Sequence, residues 1–250
     1  MRASVAAAAS LALLVVALAG CGDDAPASRE GIRSEVGSGA ASAVLWRPRR
    51  QTLPTVVFLH GWGAVDPGAY GPWRRHLVRR GSAVILPRYQ LSALSFPADA
   101  QPNAVHGVRA ALARVPGEPW VAAGHSAGGA LAADLAAGAG RERLPAPLAV
   151  FAANPGRGLR GVPFRLPASD LDQIAPDTRI LALAGARDRV TGRLTARAIV
   201  DGARRVPRAK RRFVLVTRPD AADHLAPQRN DRAAREVFWP ALDRLIARVG

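Results

Sequence analysis

Trp120-Val-Ala-Ala-Gly-His-Ser-Ala-Gly-Gly129 is the stretch that decides the fold of this chain. Its first four residues form an apolar run of the kind that fills a buried strand, and an alanine-rich helical pattern begins directly after the glycines. Between them lies Gly124-His125-Ser126-Ala127-Gly128, a Gly-x-Ser-x-Gly pattern. Only a very sharp turn joins a strand directly to a helix, and it drives the central residue into strained backbone geometry that lifts Ser126 Oγ clear of a sheet. The flanking glycines have no Cβ, so strand and helix can pass closely. Random placement of 24 glycines and the serines of this chain would give about 0.1 such matches, so the pattern gains its weight from the strand before it and the helix after it.

Outward from this turn the same alternation repeats. Apolar runs of strand length are Ser42 to Trp46, Thr55 to His60, Ser82 to Leu86, Leu148 to Ala152, Ile180 to Ala184 and Phe213 to Thr217. Helical patterns lie between most of them: Pro72 to Arg80, Ala98 to Val115, Ala127 to Ala139, Thr191 to Val206 and Asp231 to Val249. In the first of these, Trp73 and Leu77 share a face and arginines take the rest. Near-continuous apolar strands separated by helices predict an α/β fold with a mostly parallel, doubly wound sheet. Ligands of such sheets bind at the carboxyl ends of the strands, so chemistry is sought in the loops that follow them.

Three such loops complete a site with Ser126. His60-Gly-Trp62-Gly63 places two glycines around a bulky residue, leaving backbone N–H groups free to face an anion, and Trp62 N–H with Ala127 N–H is the expected oxyanion-hole pair. Gly185-Ala-Arg-Asp188 sets a carboxylate at a strand end, where it can orient an imidazole; a helix N-cap before Thr191 is the other use for Asp188. Of five histidines, only His224 lies free in a post-strand loop downstream of both partners, and it suits a general base for Ser126. Asp223 adjoins His224, and neighbours in an extended segment point apart, while Asp220 could reach back only if its loop folds tightly; Asp188, directly after a strand, is favoured as the acid.

The N-terminus reads differently. Arg2, an Ala/Leu/Val run over Ala3 to Ala19 and small residues before Cys21 make residues 1–20 an export signal, too short for a comfortable span. Leu18-Ala-Gly-Cys21 resembles the lipobox of bacterial lipoproteins, which implies lipidation of Cys21 and anchorage to the extracytoplasmic face of a bacterial membrane. Cys21 is the only cysteine, so no intrachain disulfide can form. Residues 21–38 are rich in Gly, Ser, Asp and Glu, and they predict a tether ahead of a single domain over 39–250. The net charge of +16 is almost wholly arginine, since Lys210 is the sole lysine. It suits solvated helix faces, anionic lipid or an acidic polymer. With aromatics at 5% and no recognition motif, nucleic-acid binding is not expected.

Gly-His-Ser-Ala-Gly-Gly, His-Gly-Trp-Gly, Gly-Ala-Arg-Asp-Arg-Val and Asp-His-Leu, in the order Ser, Asp, His, resemble the α/β-hydrolase superfamily over Ala40 to Val249. The resemblance implies a Ser126–Asp188–His224 triad, no cofactor and carboxylic esters as substrates, small or lipid-like, handled by a monomer. Acyl transfer, thioester, peptide or polyester cleavage would use the same triad, and a binding lipoprotein without catalysis is the reading from another class. Two departures stand out. Pro87-Arg-Tyr89-Gln90 replaces the Asp-Tyr/Leu-Arg-Gly turn of many relatives, which makes Tyr89 a weak candidate for lining the pocket. The span from Ala153 to Arg179 is short and rich in proline and glycine, which predicts no helical cap and an open cleft. Gly156-Arg-Gly-Leu-Arg-Gly161 matches a dinucleotide fingerprint, yet Pro163 and Pro167 forbid the helix that fingerprint must open. No metal-ligand spacing occurs.

Overall fold

The computed structural model describes residues 31–158 and 164–250. The proposed signal, Cys21 and the start of the tether lie outside the described residues. Eight strands form one sheet: β1 (Ile32–Val36), β2 (Ala43–Arg47), β3 (Leu53–Leu59), β4 (Ser82–Pro87), β5 (Trp120–His125), β6 (Ala149–Ala153), β7 (Arg179–Gly185) and β8 (Arg211–Val216). Their order is β1-β2-β4-β3-β5-β6-β7-β8. β3 to β8 are mutually parallel where they pair, and β1 and β2 run antiparallel at one edge. The doubly wound α/β class expected from the apolar runs is the class observed.

Each strand alternates between two cores, as a period of two dictates. In β3, Val57 and Leu59 join one core while Val56 and Phe58 join the other. Helices α2 (Ala100–Leu112), α3 (Ala127–Gly138) and α4 (Leu194–Gly202) cover the first face. The second face is covered by α1 (Gly71–Arg80) and α5 (Arg232–Ile246), through Trp73, Leu77, Phe238 and Leu242. Every residue of α3 is buried, and its alanines and glycines let it sit deep between α2, α4 and the sheet. A helix buried all round needs no polar face.

The structure departs from the sequence reading in three places. Ile32–Val36, placed in the tether of residues 21–38, is an ordered strand, so the sheet begins before residue 39. It pairs with β2 from Ile32 opposite Arg47 to Val36 opposite Ala43. Most of its side chains are exposed, so backbone pairing holds it and no apolar run marks it. Its charged Arg33 and Glu35 suit an outer edge. Second, α4 starts at Leu194 rather than Thr191, with Gly192 at φ 65° ahead of it. Third, Arg74 is buried despite its place among the arginines of α1, stacked on Trp46 at 4.4 Å. Among the described residues between β6 and β7 the only helix is a single 3-10 turn at Leu171–Gln173, so no helical cap is built there. Gly156 to Gly158 open no helix either, and Gly158 bridges Arg165 instead.

Gly128 is packed against backbone with no room for a side chain. A Cβ there would run into the carbonyls of Leu59 and His60, and one on Gly124 would run into the carbonyl of Gly128. Backbone cannot swing aside as a side chain can. Gly128→Ala is expected to lower stability by about 3 kcal/mol or more in urea unfolding. Gly140→Ala, where a Cβ meets nothing within 4 Å, should be neutral or stabilising by about 0.5 kcal/mol.

Candidate active site

Ser126 is the single residue between β5 and α3, with φ 57° and ψ −124°. Such geometry costs a non-glycine residue free energy and persists only when its surroundings enforce it. Here they do: Ser126 N–H donates to Ala153 O at 3.0 Å, while Ser126 O accepts from Gly129 N–H at 3.0 Å and Gly156 N–H at 3.1 Å. The turn is thereby fixed to β6 and to the chain beyond it.

The three loops converge on this serine. His224 Nε2 lies 3.0 Å from Ser126 Oγ, and His224 Nδ1 lies 2.9 Å from Asp188 Oδ2. The Asp188 side chain is wholly covered and that of His224 is 9% exposed, so the line is shielded from bulk water. Val190 and Thr191 N–H donate to Asp188 Oδ1 at 2.9 and 3.0 Å, and Thr191 Oγ1 lies 2.8 Å from Oδ2. Burial alone would raise the Asp188 carboxyl, but the hydrogen bond and charge of His224 and the Thr191 donors outweigh it and hold the pKa at about 2. The other carboxylates are engaged elsewhere: Asp220 with Arg218 at 2.7 Å, Asp223 with Arg229 at 2.8 Å and Asp177 with Lys210 at 2.6 Å. Asp188 thus serves His224 and caps its own loop, and the N-cap role at α4 falls outside it.

In the loop after β3, Gly61 N–H donates to Tyr70 Oη at 3.0 Å and Gly63 N–H to Gln90 Oε1 at 3.1 Å. Trp62 N–H between them, and Ala127 N–H in the first turn of α3, have no partner among the described residues. The Trp62 ring is held by its Nε1–H on Ala93 O at 2.9 Å and by Phe164, 4.5 Å away. Tyr89 does not line a pocket. It is 1% exposed, stacks on His60 at 4.2 Å and donates to His60 O at 2.7 Å, so it props the loop from beneath.

Two supports were not legible in the sequence. His125 Nε2 lies 2.8 Å from the His224 carbonyl, which can only accept, so this nitrogen carries the proton. His125 Nδ1 then accepts from Tyr70 Oη at 2.7 Å. A single chain of donors runs from Gly61 N–H through Tyr70 and His125 to the backbone of His224, joining the loop after β3 to the loop that holds the imidazole. Asn154 at φ 44° adds a second tie. Its Nδ2 donates to the carbonyls of Asp223 and His224 at 3.0 Å each, and its Oδ1 accepts from Gly185 N–H at 2.8 Å. Partners so distant in sequence leave no local pattern.

Exposed apolar side chains occur on this side of the sheet. Leu94, Phe96 and Leu194 are 89%, 76% and 78% exposed; Leu91, Leu94 and Phe96 follow β4, Leu194 opens α4 after β7 and Leu225 follows β8, so all five belong to segments that start at the carboxyl ends of the strands, as Ser126 does. Among the described residues there is no cluster of three or more potential metal ligands, and no helix is long and apolar enough to cross a membrane.

No family model matches the sequence, and no curated protein is similar to it in sequence. Solved structures are similar in fold. Carboxyl esterase 2 from the mycorrhizal fungus Tuber melanosporum superposes with a TM-score of 0.66 at 15% identity, over 90% of each chain. Esterase B from Lactobacillus rhamnosis gives 0.62 at 16%, over 86% of this chain and 85% of its own. A Pyrobaculum calidifontis esterase gives 0.62 at 19%, over 84% of this chain and 81% of its own. The fold is that of the α/β-hydrolases.

Burial drives His125 down to a pKa of about 3, with the charge of His224 adding to the effect, and burial lowers His60 as well. An unfolded histidine binds its proton near 6.5, so the unfolded state takes up more protons between about pH 6.5 and 3. Stability from these neutral rings is therefore fully present above about pH 6.5 and is lost as pH falls toward 3. Chemical unfolding from pH 7 to 4 should show that decline, and His125→Gln should flatten it while lowering stability at pH 7.

Proposed function

We propose that this protein is a serine hydrolase of carboxylic esters, working through Ser126, His224 and Asp188 and an acyl-enzyme intermediate. The observation that carries the reading is the continuous line Ser126 Oγ, His224 Nε2, His224 Nδ1, Asp188 Oδ2, with steps of 3.0 and 2.9 Å. Ser126 Oγ attacks the ester carbonyl as His224 Nε2 takes its proton. Asp188, ionised, keeps the imidazole in the required tautomer and stabilises the imidazolium. Trp62 and Ala127 N–H stabilise the charge that develops on the carbonyl oxygen, and their lack of other partners among the described residues favours that use. His224 returns the proton to the departing alcohol, then activates a water that releases the acid from Ser126.

The exposed leucines and Phe96 on the segments that follow β4, β7 and β8 favour an acyl group with substantial apolar surface, since exposed apolar surface beside a site can bind apolar ligand. The esterase and lipase names of the structural neighbours agree with this chemistry. No metal or cofactor is required by the mechanism. We further infer export and anchorage through a lipidated Cys21, on the strength of Leu18-Ala-Gly-Cys21.

Hydrolysis of short-chain p-nitrophenyl esters tests the reading. Ser126→Ala should lower turnover on the order of a million-fold. Asp188→Asn should lower it by about 10⁴ with the fold retained, because the amide favours the wrong tautomer. Equal rates for wild type and Ser126→Ala would remove the assignment. An active Asp188→Asn beside a silent Asp220→Asn would move the acid to Asp220.

A further inference from the structure

Arginines at 47, 49 and 50, at 79 and 80, and from 204 to 212 are gathered by the topology at the amino ends of the strands. Arg47 ends β2 opposite Ile32, and Trp46 beside it pairs with Val84, so Arg47, Arg49 and Arg50 lie where β4 begins. Arg79 and Arg80 end α1 just ahead of β4. The cluster of residues 204–212 leads into β8, where Arg211 pairs with Ile180 at the start of β7. This amino edge is separated from Ser126 by the six residues of β5, about 20 Å.

Asp177, Asp172 and Asp243 on that edge are already matched by cations. Asp177 lies 2.6 Å from Lys210, Asp172 3.5 Å from Arg204, and Asp243 2.8 Å from His76 and 3.3 Å from Arg80. Glu118 accepts from Gln51. Arg49, Arg50 and Arg79 carry no ion pair or hydrogen bond among the described residues. With Arg80, Gly31 and Gly81 they line a shallow cleft of about 310 Å³. A second cleft of about 250 Å³, between α1 and α5, shares Arg79 and adds Arg75 and Arg235. Arg49, Arg50 and Arg79, exposed and without an ion pair among the described residues, repel one another, and a surface of fixed anions relieves that repulsion.

A separate observation points to the same edge. The described chain begins there: Gly31 sits against the carbonyl of Arg47, and Ile32 pairs with Arg47. Gly31, to which residues 1–30 are joined, therefore lies on the side of Arg49 and Arg50. If Cys21 is the anchored residue, as proposed above, nine residues separate it from Gly31. They reach about 30 Å at full extension, which holds this edge to the bilayer.

We propose that the amino edge is a docking surface for an anionic phospholipid bilayer, with Arg49, Arg50 and Arg79 taking headgroup phosphates, and that docking turns the Ser126 mouth away from the membrane. Guanidinium groups suit this task because they stay charged and bind phosphate bidentately. Substrate then reaches the mouth from the side facing away from the bilayer. The arginine argument stands without the anchor, and only the tether argument rests on it.

Flotation of the full chain carrying Cys21→Ser tests this with vesicles of phosphatidylcholine alone or with roughly 30% phosphatidylglycerol. The apolar run of residues 3–19 contributes to both vesicle types alike, so the readout is the preference for anionic vesicles. That preference should collapse between roughly 50 and 500 mM salt. Arg49→Gln/Arg50→Gln/Arg79→Gln should reduce it on the order of 100-fold, about fivefold per arginine. Arg187→Gln/Arg189→Gln/Arg193→Gln, which removes as much charge from the mouth edge, should leave it within about twofold. Hydrolysis of a soluble ester by the amino-edge variant should equal wild type, which separates this test from that of the esterase reading. Loss of the preference in the mouth-edge variant would indicate mouth-first docking and overturn the proposal. So would an unchanged preference in the amino-edge variant, or equal binding to both vesicle types at every salt concentration.

Discussion

The site depends on how closely α3 can approach the sheet at Gly124 and Gly128. Backbone carbonyls of Leu59 and His60 press on Gly128, and the carbonyl of Gly128 presses on Gly124. That contact brings β3, β5 and the first turn of α3 together where no side chain could fit. It sets the turn at Ser126 beside the loop after β3, so that two backbone N–H groups without partners among the described residues share the neighbourhood of one hydroxyl. Strain at Ser126 is the consequence of this crossing, and hydrogen bonds from Gly129, Gly156 and to Ala153 hold it.

Around that crossing the protein builds a buried polar frame with complementary donors and acceptors. Tyr70, His125 and Asn154 each bond to backbone in a loop of the site, and the carbonyl of His224 receives both His125 and Asn154. A buried polar network is stabilising only when its members are satisfied. Burial keeps His125 neutral and raises the Tyr70 phenol, so each retains the proton it must donate over the working pH range. Placement of the His224 backbone by two separate elements leaves the imidazole little freedom other than to bridge Ser126 and Asp188, and such preorganisation is what charge development in a dry site requires.

The parts legible in the sequence were those with a local cause. Gly-x-Ser-x-Gly, the apolar strands and the glycines around Trp62 each encode a backbone requirement within a few residues, and Asp188 was preferred to Asp223 because it directly follows a strand while Asp223 adjoins His224. β1 was missed because exposed side chains carry no period; its pairing to β2 is made by backbone. Tyr70 and His125 are 55 residues apart, and Asn154 is 70 from His224, so only the folded sheet edge brings them together. Arg74 went unrecognised as buried because a guanidinium can stack on Trp46 as well as face water.

The central claim is that Ser126 is an activated nucleophile. A fluorophosphonate probe reacts with such a hydroxyl, and mass spectrometry of digested protein locates the adduct. The account predicts one adduct, on the peptide containing Ser126, formed by folded protein, absent after unfolding and slowed on the order of 10³-fold or more in His224→Ala. Folded protein that takes no label, or takes it equally at another serine, would contradict it.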